Sequence, residues 1–448
     1  MAEQAGLSNI NLGYSIDFDI NEKHTSAYNY SRVNPIQGTT DLQLTNTQTQ
    51  EVTFEIPSVV YNPYLTFLEF SVRANVATAQ RLYRHNNMVP ISQISVGDRS
   101  TQQIMNLSTN LHRYQKLSSL DILREDYLSN GKEQCVYRSN GLVATNQTAV
   151  GLACETNYEE MKYAESSVGT ADSAGELKYR VRLSDIMMGS WFSVNKSVLL
   201  GTITVIRLVF GPGNPFFWEA TNINDPATGA TALTQALDVK NLRMYYGVES
   251  NPEIKALLKR KISSPEGMNY MIPVPSVFSV SRTTPEQVQQ QLFITSSNGR
   301  VLQKIRNGLF KQASAIANTS VDHDNRVELW SKYESRINDQ RLQEFDIESA
   351  KQHDYTTQKD KLKGSCILNP EVLATNSFLD EDFTNQDNWA QSKNSAMVDS
   401  NQVCGRAVGN GIKYEPLFTT DNSNSYDLVT VVVAQKRLNV RFNGFSIN

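Results

Sequence analysis

The chain has 448 residues, beyond the ~250–300 at which one hydrophobic core stops growing, so two domains of roughly 200 residues are expected. Hydrophobic residues at 40% and charged residues at 20% exclude a disordered or membrane-embedded chain and describe an ordinary globular one. A net charge of −4, with no Lys/Arg cluster beyond Lys255–Lys261, excludes nucleic acid as the main partner and gives no expectation of sequence-specific nucleic-acid binding, because phosphate contacts need concentrated positive charge.

Along the chain, Met1 to Ser8 has neither the basic start nor the apolar core of a secretory signal, which predicts synthesis in the cytosol. Residues 1–48 are polar and punctuated by Tyr14, Phe18, Tyr28 and Tyr30. Such a segment is either a frayed terminus or an extended arm lying on a neighbour, and both readings stand. From residue 51 the period becomes two: Val52, Phe54 and Ile56 alternate with Thr53 and Glu55 before Pro57. A second strand is expected over 66–76, where Leu68, Phe70, Val72 and Ala74 contrast with Phe67, Glu69, Ser71 and Arg73. Further strands are expected over 89–96, 177–183, 198–210 and 242–248. One helix interrupts them, capped by Ser100, with Ile104, Leu107, Leu111, Tyr114 and Leu117 at three- and four-residue spacing. The stretch Val198–Phe210 is the longest apolar run, but Thr202, Thr204 and Arg207 interrupt it and it falls short of the ~20 residues that cross a bilayer. Segments 127–175 and 211–240 read as long excursions between strands.

The pattern breaks around Ser250 to Gly267, with Asn251-Pro252, a short basic helix over Glu253–Lys261, and Ser263-Ser264-Pro265. The resulting division is an arm at 1–48, a first domain at 49–250, a linker at 251–266 and a second domain at 267–448. Strand signals resume over 268–274, 277–281, 291–296 and 326–330, and close the chain over 426–434 and 438–445. A charged helix is expected over Ile337–Lys351, opening a long excursion at 336–410. An internal repeat is visible in the order of elements: Ile91–Val96 feeding Gln102–Leu107 in one half, and Val327–Trp330 feeding Arg336–Leu342 in the other.

The sequence offers little chemistry. Five histidines (His24, His85, His112, His323, His353) form no HExxH or HxH pair. Asp322-His323-Asp324 reads as a solvated turn, and Cys135, Cys154, Cys366 and Cys404 lie too far apart for a zinc site. No catalytic, cofactor-binding or metal residue is therefore expected. Gly211-Pro-Gly-Asn-Pro215 is a rigid turn whose prolines remove amide donors a phosphate would need. Phe216-Phe217-Trp218 could stack on a sugar, but aromatics beside prolines more often pack under a loop or at a subunit contact. With Tyr14 and Phe18 they form the candidate interface set.

A polar arm, two β-rich halves, long loops and a strongly β C-terminus together resemble the double jelly-roll major capsid proteins of adenovirus-type viruses, tailless phages, virophages and Polinton-like viruses. Thr202–Phe210 followed by Pro212 and Asn214–Trp218 is most similar to a strand and loop of the first jelly roll in the virophage and Polinton-like members. The resemblance covers essentially the whole chain and implies an all-β fold of two consecutive eight-stranded jelly-roll sandwiches with long inserted loops and a few short helices. It implies a structural protein of the virion rather than an enzyme: a homotrimer forming pseudo-hexagonal capsomers that tile an icosahedral shell around double-stranded DNA. Excursions 127–175, 211–240 and 370–410 would form the outward turret, and each contact pair should bury well over ~2,000 Å². The implied partners are the chain itself, minor capsid and penton proteins, with an internal membrane left open. The rivals are a carbohydrate-binding or carbohydrate-processing two-domain sandwich, against which the missing export signal counts, and a spike or penton protein, against which the two similar halves count.

Overall fold

Period-two burial builds the first half. The computed structural model describes residues 26–36, 40–45, 47–74, 81–84, 89–100, 102–119, 162–163, 177–187, 189–213, 216–220, 230–232, 236–283, 285–311, 330–348, 378–383, 405–420 and 425–447. In chain order, β1 (Tyr28–Val33), β2 (Leu42–Leu44), β3 (Gln50–Ile56) and β4 (Tyr61–Ala74) come first. Val52, Phe54 and Ile56 on β3 and Leu68, Phe70 and Val72 on β4 all turn into the core. There follow β5 (Arg81–Arg84), β6 (Ile91–Gly97), β7 (Gln103–Leu107), α1 (Leu111–Ser119), β8 (Lys162–Tyr163), β9 (Leu177–Arg182) and α2 (Leu183–Ile186). The half closes with β10 (Thr204–Phe210), β11 (Phe217–Ala220), β12 (Ala230–Ala232) and β13 (Leu237–Glu249).

Helix α3 (Pro252–Ile262) joins the halves. Asn251 caps it by accepting the Glu253 amide, and Pro252 takes the first position, where no amide donor is needed. The second half contains β14 (Met268–Arg282), β15 (Gln287–Gln289), β16 (Leu292–Ile294), β17 (Val301–Lys311), β18 (Lys332–Ile337), β19 (Gln340–Arg341), β20 (Phe378–Asp382), β21 (Arg406–Ala407), β22 (Ile412–Thr419), β23 (Tyr426–Arg441) and β24 (Gly444–Ile447).

Each half folds two antiparallel sheets face to face. In the first they run β1-β13-β4-β9, with β2 also on β13, and β3-β10-β6-β7; in the second, β14-β23-β17-β20 and β15-β22-β18-β19, with β16 also on β22. Lettering the eight successive positions B to I makes both halves the same object. Positions B, C, D, E, F, G, H and I are β1/β2, β3, β4, β6, β7, β9, β10 and β13 in the first half. They are β14, β15/β16, β17, β18, β19, β20, β22 and β23 in the second. The sheets are then B-I-D-G and C-H-E-F twice over, the connectivity of a jelly roll.

The structure corrects several sequence expectations. Of the polar stretch 1–48, read as an arm or a frayed terminus, the described part contributes β1 and β2 to the first sandwich, and residues 1–25 lie outside the described residues. The helix expected from Ser100 to Leu117 starts only at Leu111. Asp98 accepts the amides of Ser100 and Gln102 at 2.9 and 3.0 Å, which closes a hairpin and sends Ile104 and Leu107 into a ladder with β6. The helix expected over 337–351 is, across its described part, a hairpin and bends. Asn338 and Asp339 both take positive φ (50° and 67°), the geometry of a two-residue hairpin turn. The strand-to-helix repeat therefore fails in both halves, where each unit is a strand-to-strand hairpin (β6–β7 and β18–β19), although duplication holds in strand order. Of the strand expected over 198–210, only the part from Thr204 forms. Val198 makes a single bridge to Tyr61, and Gly201 turns at φ 69° where a Cβ would lie 2.3 Å from the Arg441 carbonyl oxygen. The two strands expected around Pro275 are one, β14, an edge strand on which alternate amides need no partner, so Pro273 and Pro275 are tolerated. The strand expected over 326–330 lies almost wholly outside the described residues.

The turn at Asn338 gives a direct check. Substituting Asn338→Val places a β-branched residue at positive φ and should destabilise the protein by about 1–2 kcal/mol, read as a lower urea midpoint. An unchanged midpoint would contradict this hairpin.

Candidate assembly surfaces

Strand β23 faces two cores. Leu428, Val432 and Ala434 turn into the second sandwich with Thr430, whereas Val429, Val431 and Val433 turn outward and are nonetheless buried, clustered with residues of the first half. A valine run without alternation is the mark of a strand covered on both faces. The cover comes from α1 and the G–H segment of the first sandwich. Gly189 lies so close that a Cβ there would sit 2.9 Å from a Val433 methyl, and Leu117 stands over Gly308 in the same way. Arg306 donates to the Leu117 carbonyl at 2.5 Å, and Asn110 donates to Ser279 Oγ at 2.9 Å. Arg113 pairs with Asp427 at 2.6 Å, both largely enclosed, and its guanidinium lies 5.3 Å from the centre of the Phe310 ring.

His112, next along α1, meets Phe216 edge to face at 6.3 Å. Burial, and secondarily the charge of Arg113 against a smaller opposing effect of Asp427, pushes its imidazole down to about 3. It is therefore neutral near pH 7.

The two sandwiches stand side by side with their ends matched. Asn110–Ser279 and Arg113–Asp427 join the F–G end of the first to the B–C and H–I end of the second, while Gly201 touches Arg441 at the opposite end. At the first end a small sheet, β12-β11-β5-β8, projects from the first sandwich. It gathers pieces of the D–E, F–G and H–I connections. Two of the excursions expected to form a turret, 127–175 and 211–240, thus contribute described strands here, together with 81–84, which the sequence reading passed over. Of the third, 370–410, the described borders lie at the other end: β20 runs antiparallel to β17, so Phe383 donates to the Gln303 carbonyl, and Arg406 pairs beside Leu302.

Inside the second sandwich a polar chain ties one sheet to the other. Asn307 donates to Tyr414 Oη at 2.7 Å and accepts from Thr430 at 2.8 Å, and the Tyr333 and Tyr414 hydroxyls lie 3.0 Å apart. Glu381 accepts from Tyr333 at 3.0 Å and from Ser335 at 2.7 Å. Burial first, and the Glu381 charge second, hold the Tyr333 hydroxyl well above the usual phenol range, so it stays a donor. These groups are committed to one another across the sandwich, as a structural tie requires.

Among the sequence-proposed interface residues, Phe216 is fully enclosed within its own chain and is corrected to a core residue packing against α1. Phe217 and Trp218 lie on β11, where their backbone pairs with Arg84 and Tyr83; their side chains, like Tyr14 and Phe18, lie outside what the structure describes. Asp322-His323-Asp324 and the four cysteines are also outside it. Among the described residues no group of three or more His, Cys, Asp or Glu side chains could hold a metal. Sequence reasoning missed Arg113, Phe310 and Asp427, single residues whose meeting depends on the topology.

No protein-family model matches the chain, and no curated protein matches it. Solved structures do. A chain of the Sputnik virophage structure aligns with a TM-score of 0.56 at 10% identity, covering 96% of this chain and 91% of that one. The Faustovirus major capsid protein aligns at 0.53 and 10% identity, covering 93% and 91%, and a chain of the PBCV-1 virus capsid at 0.52 and 10% identity, covering 94% and 96%. The fold is a double jelly roll. At such identity the likeness is one of fold, and it extends over both sandwiches.

Two checks follow from the junction of this double jelly roll. Phe310→Ala should cost about 3–5 kcal/mol and lower a single melting transition, since the core of the first sandwich extends across the junction onto the outer faces of β14 and β23; separate melting of the second sandwich would contradict it. The folded pKa of His112 lies below the value near 6.5 of an unfolded histidine, so the unfolded chain binds the extra proton first. The associated stability is present above pH ~6.5 and is lost toward about 3, with a slope of at most about 1.4 kcal/mol per pH unit. His112→Phe should flatten the urea midpoint across that window, and an unaltered pH profile would contradict a half-buried, neutral imidazole.

Proposed function

We propose that this chain is a viral major capsid protein, a structural subunit without catalysis, three copies of which form a pseudo-hexagonal capsomer that tiles an icosahedral shell around double-stranded DNA. The observation that carries this reading is the repetition of one B-to-I sandwich twice in parallel, fixed side by side by a continuous core. Three such pairs around an axis present six near-equivalent sandwiches, a closed arrangement that a single sandwich reaches only with six chains. The end carrying the β12-β11-β5-β8 sheet is the natural outward end, since its loops can lengthen without disturbing either core. The fold likeness to chains from virus particles and to a major capsid protein supports the same reading.

The partners in this reading are further copies of the chain within and between capsomers, and minor capsid and penton proteins where the lattice requires other shapes. Its place is the virion. Light scattering on the purified protein should give three times 50.3 kDa, with trimers persisting on dilution. A folded monomer at all concentrations would overturn the obligate capsomer and bring the two-domain carbohydrate-binding reading forward.

A further inference from the structure

At the end of the molecule opposite the β12-β11-β5-β8 sheet, β23 outruns its own sandwich. Beyond Gln435, where β17 begins, it pairs only with the start of β14 and with β24. One face of this extension, with Met268, Tyr270, Leu438, Val440 and Phe445, packs into the core of the first sandwich. The other presents Arg437 and Arg441, both exposed, beside Asn269 and Asn439. Helix α3 adjoins it. Ile254, Leu258 and Ile262 turn inward, which leaves Lys259 and Arg260 exposed and Lys255 and Lys261 half-buried. The turn after the helix brings Gly267 so close that a Cβ there would lie 2.9 Å from the Arg441 side chain. None of these six cations has an ion-pair partner among the described residues, and the exposed acids of the helix and its turn are Glu253 and Glu266. In a chain of net charge −4, this end is locally positive. The dipole of α3 accounts for cations in its own last turn, but not for Arg437 and Arg441 on a strand.

Phe442, at the tip of the β23–β24 turn, is 66% exposed. Its backbone is held in place: a Cβ on Gly201 would lie 2.3 Å from the Arg441 carbonyl oxygen and 3.0 Å from that of Phe442. An aromatic tip fixed in this way loses little freedom when it docks. A ring projecting among unpaired cations suits a bilayer surface, where the ring enters the boundary of head groups and acyl chains and the cations meet lipid phosphates. A DNA duplex supplies phosphates but no apolar layer for the ring, short of unstacking a base step.

We infer that this end of the chain docks on an anionic lipid surface, with Phe442 as the apolar anchor and Lys255, Lys259, Arg260, Lys261, Arg437 and Arg441 as the cations that face the phosphates. The surface is complete in one chain, and only its multiplication to three copies rests on the capsomer reading above. Each cation near such a surface raises partition about fivefold, an effect that salt screens.

The test is flotation of the full chain, over a salt series, with vesicles of phosphatidylcholine alone and of phosphatidylcholine mixed with phosphatidylglycerol, beside gel shifts with a DNA duplex. The variants are Lys259→Glu/Arg260→Glu, Phe442→Ser and Phe442→Trp. Circular dichroism melts check folding, and Lys259→Ala/Arg260→Ala stands in for a charge reversal that fails to fold. The wild type should float only with the anionic vesicles, and less as salt rises. The double reversal should weaken partition at least tenfold and Phe442→Ser several-fold, while Phe442→Trp floats like the wild type. No flotation of the wild type, or equal flotation of the folded variants, would overturn this surface. Duplex binding without flotation would overturn lipid as its occupant, and an oligomer that falls apart in the double reversal would assign the surface to a contact between copies instead. Flotation of a protein that is monomeric by light scattering would support the surface and overturn the capsomer.

Discussion

Val429, Val431 and Val433 lie on the side of β23 that turns away from its own sandwich, and they are nevertheless sealed from water. Leaving such a valine row in solvent forfeits about 1.5–3 kcal/mol per side chain and exposes a flat apolar sheet face of the kind that aggregates. The chain covers it with its own first sandwich, through α1, Gly189 and Leu117. Nearly everything else about the relation of the two sandwiches follows from that cover. Arg113 is drawn into the junction, where Asp427 and the face of Phe310 together compensate its lost hydration.

Because the cover joins the F–G end of one sandwich to the H–I end of the next, the two must stand parallel, with their loop-bearing ends together. Helix α3 is compatible with this arrangement: β13 ends and β14 begins at the same, opposite end, so an eleven-residue helix suffices as the link.

The strands buried on one face were legible in the sequence. Val52, Phe54 and Ile56, and Leu68, Phe70 and Val72, alternate as sheet geometry demands, and Asn251-Pro252 marks the link helix correctly. Strand β17 was not legible, although it lies at the centre of the second sandwich. Its Gln303, Lys304, Arg306 and Asn307 are all buried, and the partners of Arg306 and Asn307 come from α1, β22 and β23, far away in sequence, so alternation is lost. The two misread helices share a different cause: Asp98 in one and Asn338-Asp339 in the other are turn-forming residues whose local hydrogen bonds and backbone conformation outweigh a helical spacing of apolar side chains. The junction was half legible, since the valine run of β23 lacks alternation, but the residues that cover it could be named only once the topology was known.

Whether the first sandwich of the same chain seals the valine face of β23 is tested most directly by electron cryo-microscopy of the purified protein. The expected density shows the two sandwiches of each chain side by side, with the valine face of β23 covered by α1 and the segment around Gly189. Density in which the two sandwiches of one chain lie apart, or in which that valine face is open to solvent, would contradict it.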